Sequence, residues 1–174
     1  MTIQKSRPRL TRRLIPDNMK AMVESNTLET LLGLVAKLED AAYGFYAKLR
    51  ERCLDDPEAA ELLSAIIDDE LVHARVVQDI ASSLSASGRQ APVPPDLINQ
   101  LEQTLKCIRG RDEDLFASVD ATCEIIEKIE AMEFDVVLSL VNIPEVGFDF
   151  SASYARNQAV DHTNKVYRLL RSLD

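Results

Sequence analysis

The chain contains no tryptophan, and its five phenylalanines and four tyrosines bring aromatics to only 5% of 174 residues. Glycine (five) and proline (seven) are also sparse. A sandwich or barrel built on many tight turns is excluded by this composition. No apolar run approaches the roughly 20 residues that a membrane helix requires, so no membrane partner is expected. Basic residues near the start are not followed by an uncharged apolar stretch, which argues against a secretory leader. The three cysteines, Cys53, Cys107 and Cys123, lie far apart, and no Cys-x-x-Cys occurs. A zinc ribbon, a rubredoxin-type iron site and a thioredoxin-type redox pair are thereby excluded. Reduced thiols in a cytoplasmic setting are expected. Neither a Gly-rich phosphate loop nor a Gly-x-Ser-x-Gly elbow is present, so nucleotide binding and nucleophilic catalysis have no support.

What is present is apolar material, 46% of the chain, enough for one packed domain and too much for disorder throughout. The net charge of −9 is unevenly spread. Residues 1–20 hold six basic side chains (Lys5, Arg7, Arg9, Arg12, Arg13, Lys20) against Asp17, a balance of +5 that leaves −14 for the rest. A folded part so acidic does not suit nucleic acid. The chain divides into a basic N-terminal arm, 1–26, and a folded part, 27–174.

Punctuation places the helices. Ser25, Asn26 and Thr27 offer N-caps for a first helix over 28–53. Asp56 and Pro57 open a second over 57–84, which Ser85-Ala-Ser-Gly88 should end. A proline-bearing connection follows, then a short amphipathic stretch, 96–109, with Leu97, Leu101, Leu105 and Ile108 on one face. Those apolar residues need cover outside the main core, which makes a homodimer the expected assembly. Asp112 should cap a third helix over 112–141, stopped before Pro144. Asp149 or Ser151 should cap a fourth. Four long helices with one long link describe an all-α four-helix bundle.

Heptad spacing gives each helix a stripe. The first reads Leu28, Leu32, Val35, Glu39, Ala42, Tyr46, Leu49. The second reads Ala59, Leu63, Ile66, Glu70, His73, Val77, Ile80, Leu84. The third reads Phe116, Val119, Cys123, Ile126, Glu130, Glu133, Val137, Leu140. The fourth reads Ala152, Ala155, Ala159, His162, Val166, Leu169, Leu173. All four are apolar except near the middle, where Glu39, Glu70, His73, Glu130, Glu133 and His162 fall at matching heights. Four carboxylates buried in one layer would cost several kcal/mol each if unpaired. A pair of divalent metals resolves the conflict, with carboxylates bridging and imidazoles ligating. Spacing of three puts Glu70 and His73 about 60° apart on adjacent turns, within reach of one ion.

These residues resemble the ferritin-like superfamily, in particular its rubrerythrin-type di-iron carboxylate proteins. Leu38-Glu-Asp-Ala-Ala-Tyr-Gly-Phe-Tyr46 is similar to the family's first-helix Glu with a Tyr seven residues on. Ile67-Asp-Asp-Glu-Leu-Val-His-Ala74 is similar to its second-helix ligand motif, and 85–111 to its crossover. The resemblance implies a ferritin-like antiparallel four-helix bundle over 27–174. It also implies Glu39 and Glu130 as bridges, with Glu70, His73 and His162 as terminal ligands. The sequence departs from the family at Ala159, where the fourth helix should carry a Glu three residues before His162. Glu133 stands three residues from Glu130 and is the favoured substitute, with a Glu127/Glu130 register as the alternative. Two iron ions are implied, or one if Ala159 disables a site, with manganese or zinc as other candidates.

The implied activity is a non-haem iron protein, a ferroxidase or peroxidase that oxidises Fe(II) with oxygen or peroxide and draws on an external electron donor. The missing Cys-x-x-Cys domain removes a built-in donor. The contrasting expectation is a degenerate bundle that acts as a structural or interaction module. Tyr46 and Cys123 read as core residues. Asp68 and Asp69 read as facing solvent or a neighbouring helix, with no effect on metal content expected from Asp69→Ala. Asp161 reads as solvated or as a partner to a ligand.

Overall fold

The computed structural model describes residues 26–146 and 161–173. Their regular structure is helical, apart from one antiparallel bridge between Thr27 and Pro92. The helices are α1 (Leu28–Arg52), α2 (Pro57–Ser83), α3 (Ala86–Arg89), α4 (Pro95–Ile108), α5 (Asp112–Leu115), α6 (Val119–Val141) and α7 (Thr163–Leu173). A 3-10 turn at Pro144–Val146 follows α6. No helix among the described residues is long and apolar enough to cross a membrane.

Caps fix the first two helices. Thr27 Oγ1 accepts from the amide of Thr30 at 3.3 Å. Asp56 Oδ1 accepts from the amides of Glu58 and Ala59, both at 3.1 Å, ahead of Pro57 at the first helical position. Leu84 turns extended after Ser83, and Ser85 then caps the single turn α3 through the Gly88 amide at 3.0 Å. The stretch 85–88 thus makes a helical turn of its own as well as ending α2. Every stripe residue of α1 and α2 is buried.

The third helix corrects the expectation. It is not continuous over 112–141 and Asp112 does not cap it. The one-turn α5 ends at Phe116, and Ser118 caps α6 by accepting from the Ala121 amide at 3.1 Å. Phe116 stacks on Phe45 (centroids 5.2 Å, planes 13° apart) and lies under the Arg52 guanidinium at 4.4 Å. Asp112 accepts from Lys48 at 2.8 Å instead. Breaking the helix seats Phe116 on α1 and rotates the buried face of α6. Val119 is exposed, Cys123 is only half-buried, and Thr122, Ile126, Ile129, Met132, Glu133, Val136 and Leu140 form the core side.

The crossover helix also differs from expectation. Leu97, Leu101, Leu105 and Ile108 are buried within this chain, where α4 packs on α1 and α6. Leu28 donates to Ala91 O at 2.8 Å and Val93 donates to Asn26 O at 3.0 Å, tying the crossover to the start of α1. The apolar stripe therefore needs no second subunit, and the dimer loses the argument made for it.

The fourth expected helix is described from Asp161. Asp161 and His162 have π-helical geometry and lead into α7, which packs mainly on α2. Val166 and Leu169 are buried as the stripe requires. The expected caps Asp149 and Ser151, the residues Ala152, Ala155 and Ala159, and nearly all of the basic arm lie outside the described residues.

Candidate metal centre

All six stripe residues converge. Glu39, Glu70, His73 and Glu133 form one group, and Glu70, Glu130, Glu133 and His162 form a second. Within each group the ligand atoms lie within 4.8 Å of one another. Glu39 and Glu70 are each 1% exposed, and Glu133, His162 and His73 are buried as well, at 2%, 2% and 5%. Glu130 alone reaches the surface, with its side chain 20% exposed.

Helix phase explains the convergence. Glu70 and His73 share the buried face of α2, one turn apart, opposite Glu39 on α1. His73 Nδ1 stands 3.6 Å from Glu39 Oε2, 3.5 Å from Glu70 Oε2 and 3.9 Å from Glu133 Oε2. These separations are at or beyond the limit of a hydrogen bond. They suit donors arranged around a small ion, since bonds of about 2.0–2.3 Å place neighbouring ligands roughly 3–4.5 Å apart. On the other side His162 Nε2 lies 3.1 Å from Glu130 Oε2 and 3.8 Å from Glu70 Oε1. The two imidazoles meet edge to face, with centroids 5.0 Å apart.

The two groups overlap. Glu70 and Glu133 belong to both, whereas Glu39 belongs only to the first and Glu130 only to the second. Glu70 and Glu133 are thus the residues common to both groups, whereas the resemblance implied Glu39 and Glu130 as bridges. On α6 Glu133 points fully inward, and Glu130 stands at the flank of the buried face. Glu127 is exposed and belongs to neither group.

Burial makes this arrangement electrostatically unusual. Neither oxygen of Glu39 or Glu70 accepts a hydrogen bond. Buried polar atoms are normally satisfied, and buried carboxylates normally paired. Four carboxylates carry four negative charges, which two divalent cations would cancel. Without a cation, protons take that role. Burial pushes the Glu70 carboxyl up to about 7, reinforced by Glu39 and opposed by His73. For His73, burial disfavours the charged ring, but Glu39 and Glu70 outweigh it and raise the imidazole to about 9. His162 behaves alike: burial opposes its charge, and Asp69 and Glu130 raise it to about 10. A cluster of oxygen and imidazole donors with this charge can hold a metal ion.

Two supporting contacts complete the site. Tyr46, fully buried on α1, donates its hydroxyl to Glu130 Oε1 at 2.7 Å. Burial and the nearby carboxylates raise that phenol well above 10, so it stays a donor. Asp69 accepts from Lys165 Nζ at 2.7 and 3.0 Å and lies 3.1 Å from His162 Nδ1. Although burial opposes ionisation of Asp69, His162 and Lys165 lower its carboxyl below the ordinary value. An ionised carboxylate only accepts, so Nδ1 of His162 carries the proton and, in the neutral ring, Nε2 keeps its lone pair for the cluster.

Asp69 thus faces a neighbouring helix, one of the two expected placements, and its contact with His162 argues against the expectation that its removal would leave metal content unchanged. Spacing gave no sign of it, because the partner is on another helix. Asp68 is exposed, and Asp161 is 87% exposed beside Lys165 at 3.8 Å. Comparison of the chain with protein-family models, with curated proteins and with solved structures finds no match.

Proposed function

We propose that this chain is a ferritin-like, carboxylate-bridged two-metal protein of the rubrerythrin type, with iron as its metal and oxidation of Fe(II) by oxygen or peroxide as its activity. The observation that carries the proposal is the pair of four-residue groups sharing Glu70 and Glu133. Glu39 and His73 would complete one ion's shell, and Glu130 and His162 the other's. In this reading α1, α2, α6 and the helix ending in α7 make up the family's four-helix bundle.

Bound iron would supply the electrons and Lewis acidity for reducing a small oxidant. The chain's own residues do the rest. Leu32, Leu63, Ile66 and Ile129 belong to the apolar core that excludes bulk water. Tyr46 holds one oxygen of Glu130 through its hydroxyl proton, and Asp69 fixes the His162 ring. Glu133 supplies the carboxylate that Ala159 cannot, which favours this reading over a degenerate interaction module.

Anaerobic titration with Fe(II), followed by desalting and metal analysis, tests it. Two ions per chain are expected, and air or peroxide should then produce a near-ultraviolet oxo-iron band. Uptake of less than one ion, or equal uptake by wild type and Glu70→Ala, would return the protein to the interaction-module class.

A further inference from the structure

Two grooves on the surface of α6 join at Leu138, which lines both. The larger, about 800 Å3, runs between α6 and α7 over Phe134, Val137 and Val166 and includes Glu127 and Glu130. The smaller, about 590 Å3, lies between α6 and the crossover, against Pro92, Pro94 and Leu97, and includes Asp135. Phe134, Leu138 and Tyr167 are 56%, 48% and 62% exposed along the larger groove. A contiguous exposed apolar face with a polar rim marks an interaction surface. Its charge is one-sided: three carboxylates and no Lys or Arg among the described lining residues.

The point at which the chain enters the fold lies on this surface. Thr27 bridges to Pro92, and Asn26 O accepts from the Val93 amide, so residue 26 stands at the edge of the smaller groove. The 25 residues ahead of it are the basic part of the chain, and within them Leu10, Leu14 and Ile15 alternate with Arg9, Arg12 and Arg13. The grooves follow α6 from Glu127 to Val141, about 21 Å at 1.5 Å per residue. Asn26 lies twelve residue steps after Leu14, enough for about 18 Å as helix or roughly 40 Å extended. In extended form that span exceeds the length of the grooves, which puts Leu138 within range of Leu14.

We propose that residues 7–15 of this same chain dock in the joined grooves, their leucines on the apolar floor and their arginines against Glu127 and Asp135. Reach, charge and apolar pattern each favour this occupant, and none of them depends on a metal being bound.

Disulfide trapping in the full chain tests the contact. In a background with Cys53, Cys107 and Cys123 changed to Ser, Leu14→Cys is combined with Leu138→Cys, or with Leu71→Cys on exposed α2 as control. Diamide should close the first pair within one chain at least tenfold faster than the second. Equal rates would overturn the proposal. A product of twice the chain mass would also overturn it and give the grooves to a second copy. Nile red, a neutral apolar dye, provides an independent check in the native-cysteine chain. Arg9→Glu/Arg12→Glu/Arg13→Glu should raise its bound emission severalfold, an increase that added Leu138→Glu abolishes. Unchanged emission on charge reversal would mean that the segment does not cover the grooves.

Discussion

Asp69 on α2 and His162 at the start of the last helix are joined side chain to side chain, with Oδ2 3.1 Å from Nδ1. The pair links the neighbour of one shared carboxylate, Glu70, to a ligand candidate 93 residues away. Lys165 Nζ donates to the same Oδ2 at 2.7 Å and to Oδ1 at 3.0 Å, so the acceptor is held by a cation as well as by the imidazole. The last helix brings one ligand candidate to the described site, and its orientation depends on a residue that ligates nothing.

Asp69→Ala should therefore weaken binding at the Glu130/His162 side by about 10- to 100-fold, the usual effect of losing such a partner. Binding at the Glu39/His73 side should change little. Competition against a chelating dye resolves the two affinities. Asp68→Ala is the matched control, because Asp68 is exposed and should leave both unchanged.

The four carboxylates should separate by role. Glu39→Ala and Glu130→Ala should each lower stoichiometry from two ions to about one, because each belongs to a single group. Glu70→Ala and Glu133→Ala should lower it toward zero. Co(II) absorbance and metal analysis read both. Stoichiometry of one in all four variants would contradict the sharing.

Much of this was legible in the sequence. Asp56-Pro57 and Thr27 are local caps, so the starts of α1 and α2 follow from neighbouring residues alone. The heptad stripe gives height and face, which suffices to bring Glu39, Glu70 and His73 together. It failed in the third helix because Asp112 was read as the cap, whereas Ser118 caps α6 and Phe116 stacks on Phe45 between the two helices. Beyond that break Glu133 is 2% exposed and the Glu130 side chain 20% exposed, a difference that the shared stripe did not predict. Asp69 was missed for a similar reason: its partners His162 and Lys165 are set by helix packing, which spacing within one helix does not encode.

The metal-free protein should become less stable as pH rises. Glu70 binds its proton more tightly when folded, about 7 against an ordinary 4.5, so its contribution is full below 4.5 and lost by about 7. His73 and His162 are raised to about 9 and about 10 from 6.5; their contributions are full below 6.5 and fade through those values. All three act in the same direction. Metal must displace these protons, so its stabilising effect should grow over the same range. Melting curves at about pH 5.5, 7.5 and 9, with and without metal, should diverge as pH rises.

Burial of Leu101 at 0% exposure in α4 makes the crossover part of this chain's own core. Leu101→Ala should cost about 2–5 kcal/mol in urea unfolding. The midpoint should not vary with protein concentration in either form. A midpoint that rises with concentration would place the same face at a subunit interface.

Glu39→Leu separates a metal centre from a polar layer that merely fixes helix register. Glu39 is 1% exposed and neither of its oxygens accepts a hydrogen bond. Its nearest cation candidate is His73 Nδ1 at 3.6 Å, which Glu70 also approaches at 3.5 Å. Glu39 opposes ionisation of Glu70, and Glu70 stays beside His73, so an apolar side chain of similar volume at position 39 removes a like charge without leaving the imidazole alone. The metal-free variant should therefore melt at or above the wild-type temperature. Added metal should stabilise it far less than wild type, because one group has lost a ligand candidate. A register layer would give the opposite pair of results: a lower melting temperature without metal, and no difference in the response to it. The two readings thus predict different signs for the same substitution, and one pair of melting curves separates them.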